Sequence, residues 1–325
     1  METHNEFFRE AKKFHENTEV VDLHCDTMHL VTTGKLKLMD WNKTGHVDVP
    51  RLKAGGVKYQ VFAAWGEGQP EPTWKIAYET LKAFRDIVNQ NINEISIVER
   101  WDDIQRCRKD NLIGAILGME SGMLLNGKLD RLYTIYDLGV RILTLTWNGR
   151  NQIADGVGVE GEKKGLTQFG REVVKSMYEL GMIVDISHLG EPGFWDCIEY
   201  VESPIIASHS NCYALCPHPR NLKDAQIKAM AEKGGVIGVN FYPAFLGDPV
   251  DVSRVCDHID YIANIVGIDY IALGSDFDGM DVTPKGLEDV SKFPNITAEL
   301  IVRGYSDDDI CKILGKNALK IFKRI

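Results

Sequence analysis

The sequence predicts an α/β fold, a closed (β/α)8 barrel of the TIM type, from three observations. Eight apolar, β-like runs recur along the chain, at 19–24, 57–64, 113–119, 140–146, 183–187, 204–208, 235–241 and 270–275. Helix-periodic stretches such as PTWKIAYETLKAFRDIVNQNI, LTQFGREVVKSMYELG and NLKDAQIKAMAEKGG separate them, and that alternation implies parallel strands joined by βα crossovers. Six side chains of metal-binding type stand at the downstream ends of these runs: His24, Asp26, Glu120, His188, His209 and Asp276. In a parallel barrel the C-terminal strand ends share one face, where catalytic groups collect.

The elements follow in order. METHNEFFREAKKFHENTE is polar and amphipathic and predicts a helix over 1–18; with no apolar h-region it does not read as a signal peptide. The first strand leads into HCDTMHL. An open, doubly wound sheet would place a glycine-rich phosphate turn there. No GxGxxG stands at that position and no GxxxxGK[ST] occurs anywhere, so nucleotide-binding folds are set aside. The clearest loops are WGEGQPEP (65–72) and EGEKKG (160–165); each follows a barrel strand and is placed to edge a pocket. The second and third helical stretches quoted finish on glycine, the usual C-cap signal. The last residues, 305–325, predict basic helices packed on the barrel, with no lipidation or retention signal. A barrel of this type takes roughly 250 residues, so a chain of 325 reads as one domain, 1–325, with insertions and terminal helices.

Composition narrows the function. A hydrophobic content of 44% with 26% charged residues fits a soluble globular enzyme. The formal net charge of −10 argues against nucleic acid as a partner. No apolar run approaches the roughly 18 residues of a membrane span, and the expected compartment is the cytoplasm. Seven cysteines, an odd number without small-domain spacing, read as reduced thiols. Cys212 and Cys216 form a C-x3-C pair that no second thiolate pair accompanies. A symmetric homodimer is the commonest assembly on general grounds.

An imidazole–carboxylate set without matching thiolates suits a hydrolytic divalent-metal centre. His24-x-Asp26 puts two ligands on one face of a strand, and alternation turns Cys25 away. His188 in DISHLG and His209 in ASHSN each close a strand, with Ser187 and Ser208 turned to the other face. Glu120 in LGMESG offers the carboxylate that two neighbouring metals need as a bridge. The expected ligand sets are His24/Asp26/Glu120 and Glu120/His188/His209. Asp276 in GSDFDG is the expected proton carrier beside the metals; Asp278 shares its face if the strand extends that far. The glycines on either side imply close backbone approach. Arg220 in HPRNL is a guanidinium suited to clasp a carboxylate at the pocket mouth.

DLHCDT, HVDVPRLKAGGVKYQVFAAW, LGMESG, VRILTLTW, DISHLG, ASHSN, HPRNL, GGVIGVNFYPAF and GSDFDG, in this order, resemble the membrane (renal) dipeptidase family. These are zinc-dependent dipeptidases of the amidohydrolase superfamily, and the resemblance runs from about residue 19 to the C-terminus. It implies a barrel with two zinc ions per chain, other divalent metals being alternatives, held by His24, Asp26, Glu120, His188 and His209. It implies that Arg220, with the Tyr242 segment, receives the carboxylate of a dipeptide, and that Asp276 is the family's acid beside the metals. It also implies substrates that often carry a C-terminal D-residue. Two features depart from the animal members. A histidine that follows LTLT in them is replaced by Trp147-Asn148, as in the microbial branch, which leaves the oxyanion donor to Asn148 or Arg150. Their secretion signal, lipid-anchor tail and paired cysteines have no counterpart, which fits a soluble protein.

The expected reaction is hydrolysis of a free dipeptide by a metal-bridging hydroxide, with Asp276 and Glu120 as catalytic carboxylates and Arg220, Tyr242, Trp147 and Asn148 around the substrate. Two rivals remain at this stage. One is another amidohydrolase reaction on the same barrel, of the cyclic amide, lactone or deaminase type, since fold does not settle chemistry. The other is a non-catalytic binding protein that keeps the fold.

Overall fold

The computed structural model describes residues 2–66 and 68–325; Met1 and Glu67, the latter within the WGEGQPEP loop, lie outside the described residues. Nine parallel strands form: β1 Val20–Cys25, β2 Val57–Trp65, β3 Ile95–Ile97, β4 Ile113–Glu120, β5 Val140–Thr144, β6 Ile183–Asp185, β7 Ile206–Ala207, β8 Val236–Val239 and β9 Ile271–Leu273. Their order is β2-β1-β9-β8-β7-β6-β5-β4, and pairing of β2 with β4 closes the ring. The register runs from Tyr59 opposite Gly114 to Trp65 opposite Glu120. Eight strands therefore make the barrel, at the eight runs the sequence predicts. β3 is an addition, pairing Ile95–Ile97 with the first residues of β4.

The two apolar layers follow from strand alternation. Val21, Val61, Ile116, Ile142, Ile183, Ile206, Val236 and Ala272 come from all eight barrel strands and share one buried cluster. Residues from every strand of a closed ring can meet only inside it. Ala318, Leu319, Ile321 and Phe322 of the C-terminal helix Asn317–Phe322 join that cluster and floor the barrel. The opposite strand faces pack outward on helices. Along Pro70–Asn89 the buried residues Ala77, Leu81, Phe84 and Val88 recur every three or four positions, and Phe84 meets Phe62 of β2 with rings 4.8 Å apart. Burying each such side chain stabilises the fold by roughly 1.5–3 kcal/mol. Cys25, turned away from the mouth as alternation requires, is fully buried in this outer layer.

The helix ends obey their local chemistry. Thr167 caps Gln168–Leu180 by accepting from Gly170 N, and Gly181 ends it at φ 76°. That left-handed turn lets the chain reverse directly into β6. At the amino end, helix Glu2–Glu16 docks through buried His15, bonded at 2.7 Å to both Gly55 O and Thr297 Oγ1. Among the described residues no helix is long and apolar enough to cross a membrane.

Candidate metal centre

The mouth of the barrel gathers the six expected side chains. Glu120 ends β4 with its two oxygens facing different groups. Oε1 lies 3.0 Å from His188 Nε2 and 3.6 Å from His209 Nε2, and those two nitrogens are 3.0 Å apart. Oε2 faces His24 Nε2 at 3.8 Å, which in turn lies 3.6 Å from Asp26 Oδ2. Ligands about 2.0–2.1 Å from one tetrahedral ion sit roughly 3.3 Å from each other. The triangle of 3.0, 3.0 and 3.6 Å edges matches that spacing.

Three further observations fit these residues to metal. His24 Nε2 is buried without a hydrogen-bond partner, an expensive state for a polar atom unless something else occupies its lone pair. His188 Nδ1 is bonded to Asn148 Oδ1 at 2.8 Å and His209 Nδ1 to Ser208 Oγ at 2.7 Å. Those contacts place the ring protons on Nδ1 and leave both Nε2 lone pairs aimed at Glu120. Finally, the site is short of positive charge. Burial disfavours a charged His24, yet Glu120, Asp26 and Asp276 outweigh it and hold the imidazole at about 10. Burial raises Glu120 well above the ordinary carboxylate range and Asp276 to about 6. Burial, with the nearby cations, holds His188 and His209 far below the ordinary imidazole range. A divalent cation would relieve the carboxylate crowding without demanding protons.

The supporting layer is what sequence reasoning missed. Asp185 of β6 is fully buried and accepts from Thr144 Oγ1 and Ser208 Oγ, both at 2.6 Å, and from the Ser187 and Ser208 backbone nitrogens. Ser208 spends its proton on Asp185, so its oxygen accepts from His209. Asp22 of β1 plays the same part below His24, holding Ser275 and Gln60; burial raises it to about 6. An acid inside an otherwise apolar strand, as in EVVDL and MIVDI, was the available signal. Close backbone contact seats the ring of ligands as well. A Cβ on Gly274 would stand 1.8 Å from Ser208 O, and one on Gly279 2.4 Å from Asp26 Oδ2.

Several expectations are corrected by the geometry. β9 stops at Leu273, and Asp276 and Asp278 both take left-handed backbone, φ 63° and 66°. Strand alternation therefore does not reach Asp278, which instead holds Thr27 Oγ1 and the His46 backbone nitrogen. Asp276 lies with His24 and His209 in a group of ligand atoms within 4.8 Å of one another, and Asn240 Nδ2 orients it at 2.9 Å. Arg220 is not at an open mouth but buried, with its terminal nitrogen donating to His209 O at 3.0 Å. Arg150 is engaged by Asp155 through Nε and Nη2, away from the residues that line the cavity over the ligands. Asn148 has its carbonyl oxygen committed to His188.

Over the ligands opens a cavity of about 420 Å³ whose wall includes Trp65, Trp147, Asn148, Tyr242 and Phe245. The Trp147 ring stacks on His188 at 6.0 Å, and Tyr242 stacks on Phe245 at 4.7 Å. The space suits a small substrate held between aromatic faces.

A parallel barrel with an imidazole–carboxylate cluster at its C-terminal mouth defines the class as a metal-dependent hydrolase. Residues 8–325 match the membrane dipeptidase family (peptidase family M19). The chain belongs to that family and is a peptide-bond hydrolase. It is 31% identical over 328 residues to a dipeptidase of Claviceps purpurea, covering 95% of this chain and 77% of that protein. Among solved structures, dipeptidase AC, a metallopeptidase of family M19, superposes with a TM-score of 0.89 at 26% identity, covering 94% of this chain and 98% of the other. A metallopeptidase from Rhodobacter sphaeroides, liganded with a phosphinate mimic of the dipeptide L-Ala-D-Ala, gives 0.88 at 25% identity over 94% and 99%.

Proposed function

We propose that the protein hydrolyses free dipeptides at a two-metal centre, zinc or another divalent ion, and accepts a D-residue at the C-terminal position. The observation that carries the reading is the split of Glu120, with one oxygen on the His188/His209 side and the other on the His24/Asp26 side. A bound pair of divalent ions would supply an activated water and a polarised carbonyl. The remaining steps fall to side chains. Asp276, oriented by Asn240 beside His24 and His209, stands ready to take a proton from the water and return it to the departing amine. Arg220, whose buried Nε has no partner, receives the substrate carboxylate. Trp147 and Tyr242 enclose the substrate and exclude water. Asn148 fixes His188.

The Rhodobacter relative's phosphinate ligand, a mimic of L-Ala-D-Ala, supports the D-residue. The proposed compartment is the cytoplasm, in keeping with seven unpaired thiols; one barrel domain over 1–325, assembled as a homodimer, completes the reading. The test measures metal per chain on purified protein together with cleavage of L-Ala-D-Ala and L-Ala-L-Ala. Two metals with chelator-sensitive cleavage are expected. One metal and no cleavage would instead favour a deaminase-type centre built on His24, His209 and Asp276.

A further inference from the structure

Behind His188 lies a second cavity, of about 270 Å³, that shares this histidine as a wall with the cavity over the ligands. Its lining is unlike that of an ordinary packing void. Arg220 Nε and Ser210 Oγ are buried there without hydrogen-bond partners. Lys163, from the EGEKKG loop, lines the same space half-buried, with no carboxylate partner among the described residues. Lys223 and Glu191 at the rim neutralise each other at 2.7 Å. The cavity thus holds one cation without a carboxylate partner, Lys163, beside an open guanidinium Nε and a free hydroxyl.

The loop that delivers Lys163 is fixed. Lys164 N donates to Asp155 Oδ2 and Leu166 N to Asp196 Oδ2, both at 2.7 Å. The Lys163 stem packs where a Cβ on Gly190 would stand, 3.3 Å from its Cδ. That contact lays the aliphatic stem along the cavity wall, with the ammonium at its hydrated end.

We propose that this cavity receives the C-terminal side chain of the dipeptide and selects an acidic one, aspartate or glutamate, through Lys163. The inference rests on the dipeptidase reading above. The α-carboxylate takes the open Nε of Arg220, whose guanidinium lies 5.3 Å from the ring of Phe245 in the wall of the cavity over the ligands. One positive charge remains, on Lys163, and a second carboxylate on the same residue would balance it. Ser210 Oγ is a further donor for an oxygen in that space. A neutral side chain would leave Lys163 uncompensated, so the preference is electrostatic rather than steric.

The test compares isosteres on the metal-loaded enzyme: Ala-Glu against Ala-Gln and Ala-Asp against Ala-Asn, each with L and D C-terminal residues. The acidic member of at least one pair should show kcat/KM higher by about tenfold, the low end for a charged hydrogen bond at a half-exposed site. Lys163→Met should bring that ratio to within about twofold of one, and Lys163→Glu should turn the preference toward a C-terminal lysine. Cleavage of Ala-Ala and Ala-Gln with no acid preference, or a preference that Lys163→Met leaves intact, overturns this inference alone. Failure to cleave any dipeptide overturns the dipeptidase reading and this inference with it.

Discussion

Ser208→Ala should weaken metal binding while sparing the fold, and the structure sets the size of the effect. Ser208 Oγ accepts the His209 Nδ1 proton at 2.7 Å and passes its own to Asp185 at 2.6 Å. Alanine removes the acceptor in a fully buried setting. In the metal-free protein the imidazole can escape by moving its proton to Nε2, where Glu120 Oε1 lies 3.6 Å away. Binding metal then forces the proton back to Nδ1, now without a partner. An unpaired buried donor costs roughly 1–3 kcal/mol, which is about 5- to 150-fold in affinity and overlaps the 10–100-fold typical of lost support behind a metal ligand. The loss should fall on the His188/His209 side only. Chelator competition on the variant would read it as one weakened site beside one of wild-type affinity. Ser187→Ala is the milder comparison: that hydroxyl meets the His209 backbone nitrogen and Ser208 Oγ, the latter at 3.2 Å, but not the ring, and Ser208 keeps its bonds to Asp185 and His209; it should change affinity less than Ser208→Ala does. Wild-type affinity at both sites in Ser208→Ala would refute the tautomer argument.

Asp276→Asn should retain its metals and lose at least about 100-fold in kcat; near-normal turnover at full metal content would move the proton carrier elsewhere. Arg220→Ala should raise KM about 30-fold or more for free dipeptides and far less for their C-terminal amides, so equal losses on both would take Arg220 out of the carboxylate role. Stability should also fall in mild acid. Burial depresses His15 and His258 to about 4, while the unfolded imidazole titrates near 6.5. Between those values the unfolded chain binds more protons, so this stability is complete above pH 6.5 and drains as the pH falls toward 4. Relative to pH 7, pH 5 should cost about 2 kcal/mol for each histidine. Urea unfolding with chelator present, compared between wild type and His15→Gln or His258→Gln, measures it; variants with the wild-type pH slope would sink the assignment.

Much of this was legible because the barrel writes itself locally. Each barrel strand is an apolar run, and each ligand follows one, so the segments carrying His24, Glu120, His188 and His209 could be placed before any pairing was known. What stayed hidden depends on partners distant in sequence. Asp185 meets Ser208 across 23 positions and Asp22 meets Ser275 across 253, and no spacing rule links such pairs. Arg220 reads as an exposed cation because its burial is decided by partners outside HPRNL, His209 and the Phe245 ring. The Lys163 loop shows the same limit: its composition marked it as a loop, while its aim depends on Asp155 and Asp196.

Alternation fails at the point where the chemistry begins, and for a physical reason. Ser121, His188, Asp276 and Asp278 take φ of 95°, 65°, 63° and 66°, all non-glycine residues in left-handed backbone beside the ligands. Each costs on the order of 1–3 kcal/mol and persists only where surrounding contacts over-determine it. They are supplied: Ser121 N donates to Thr144 O, Asp276 N to His24 O, and His188 O accepts from Val157 N. A regular strand can present its side chains only alternately to two faces, which would aim neighbouring ligands apart. Leaving strand geometry frees His188 and Asp276 to turn toward the centre that His24 and Glu120 reach from within β1 and β4. The position of a ligand is thus set by apolar periodicity, and the direction of His188 and Asp276 by strain that only the closed barrel can hold.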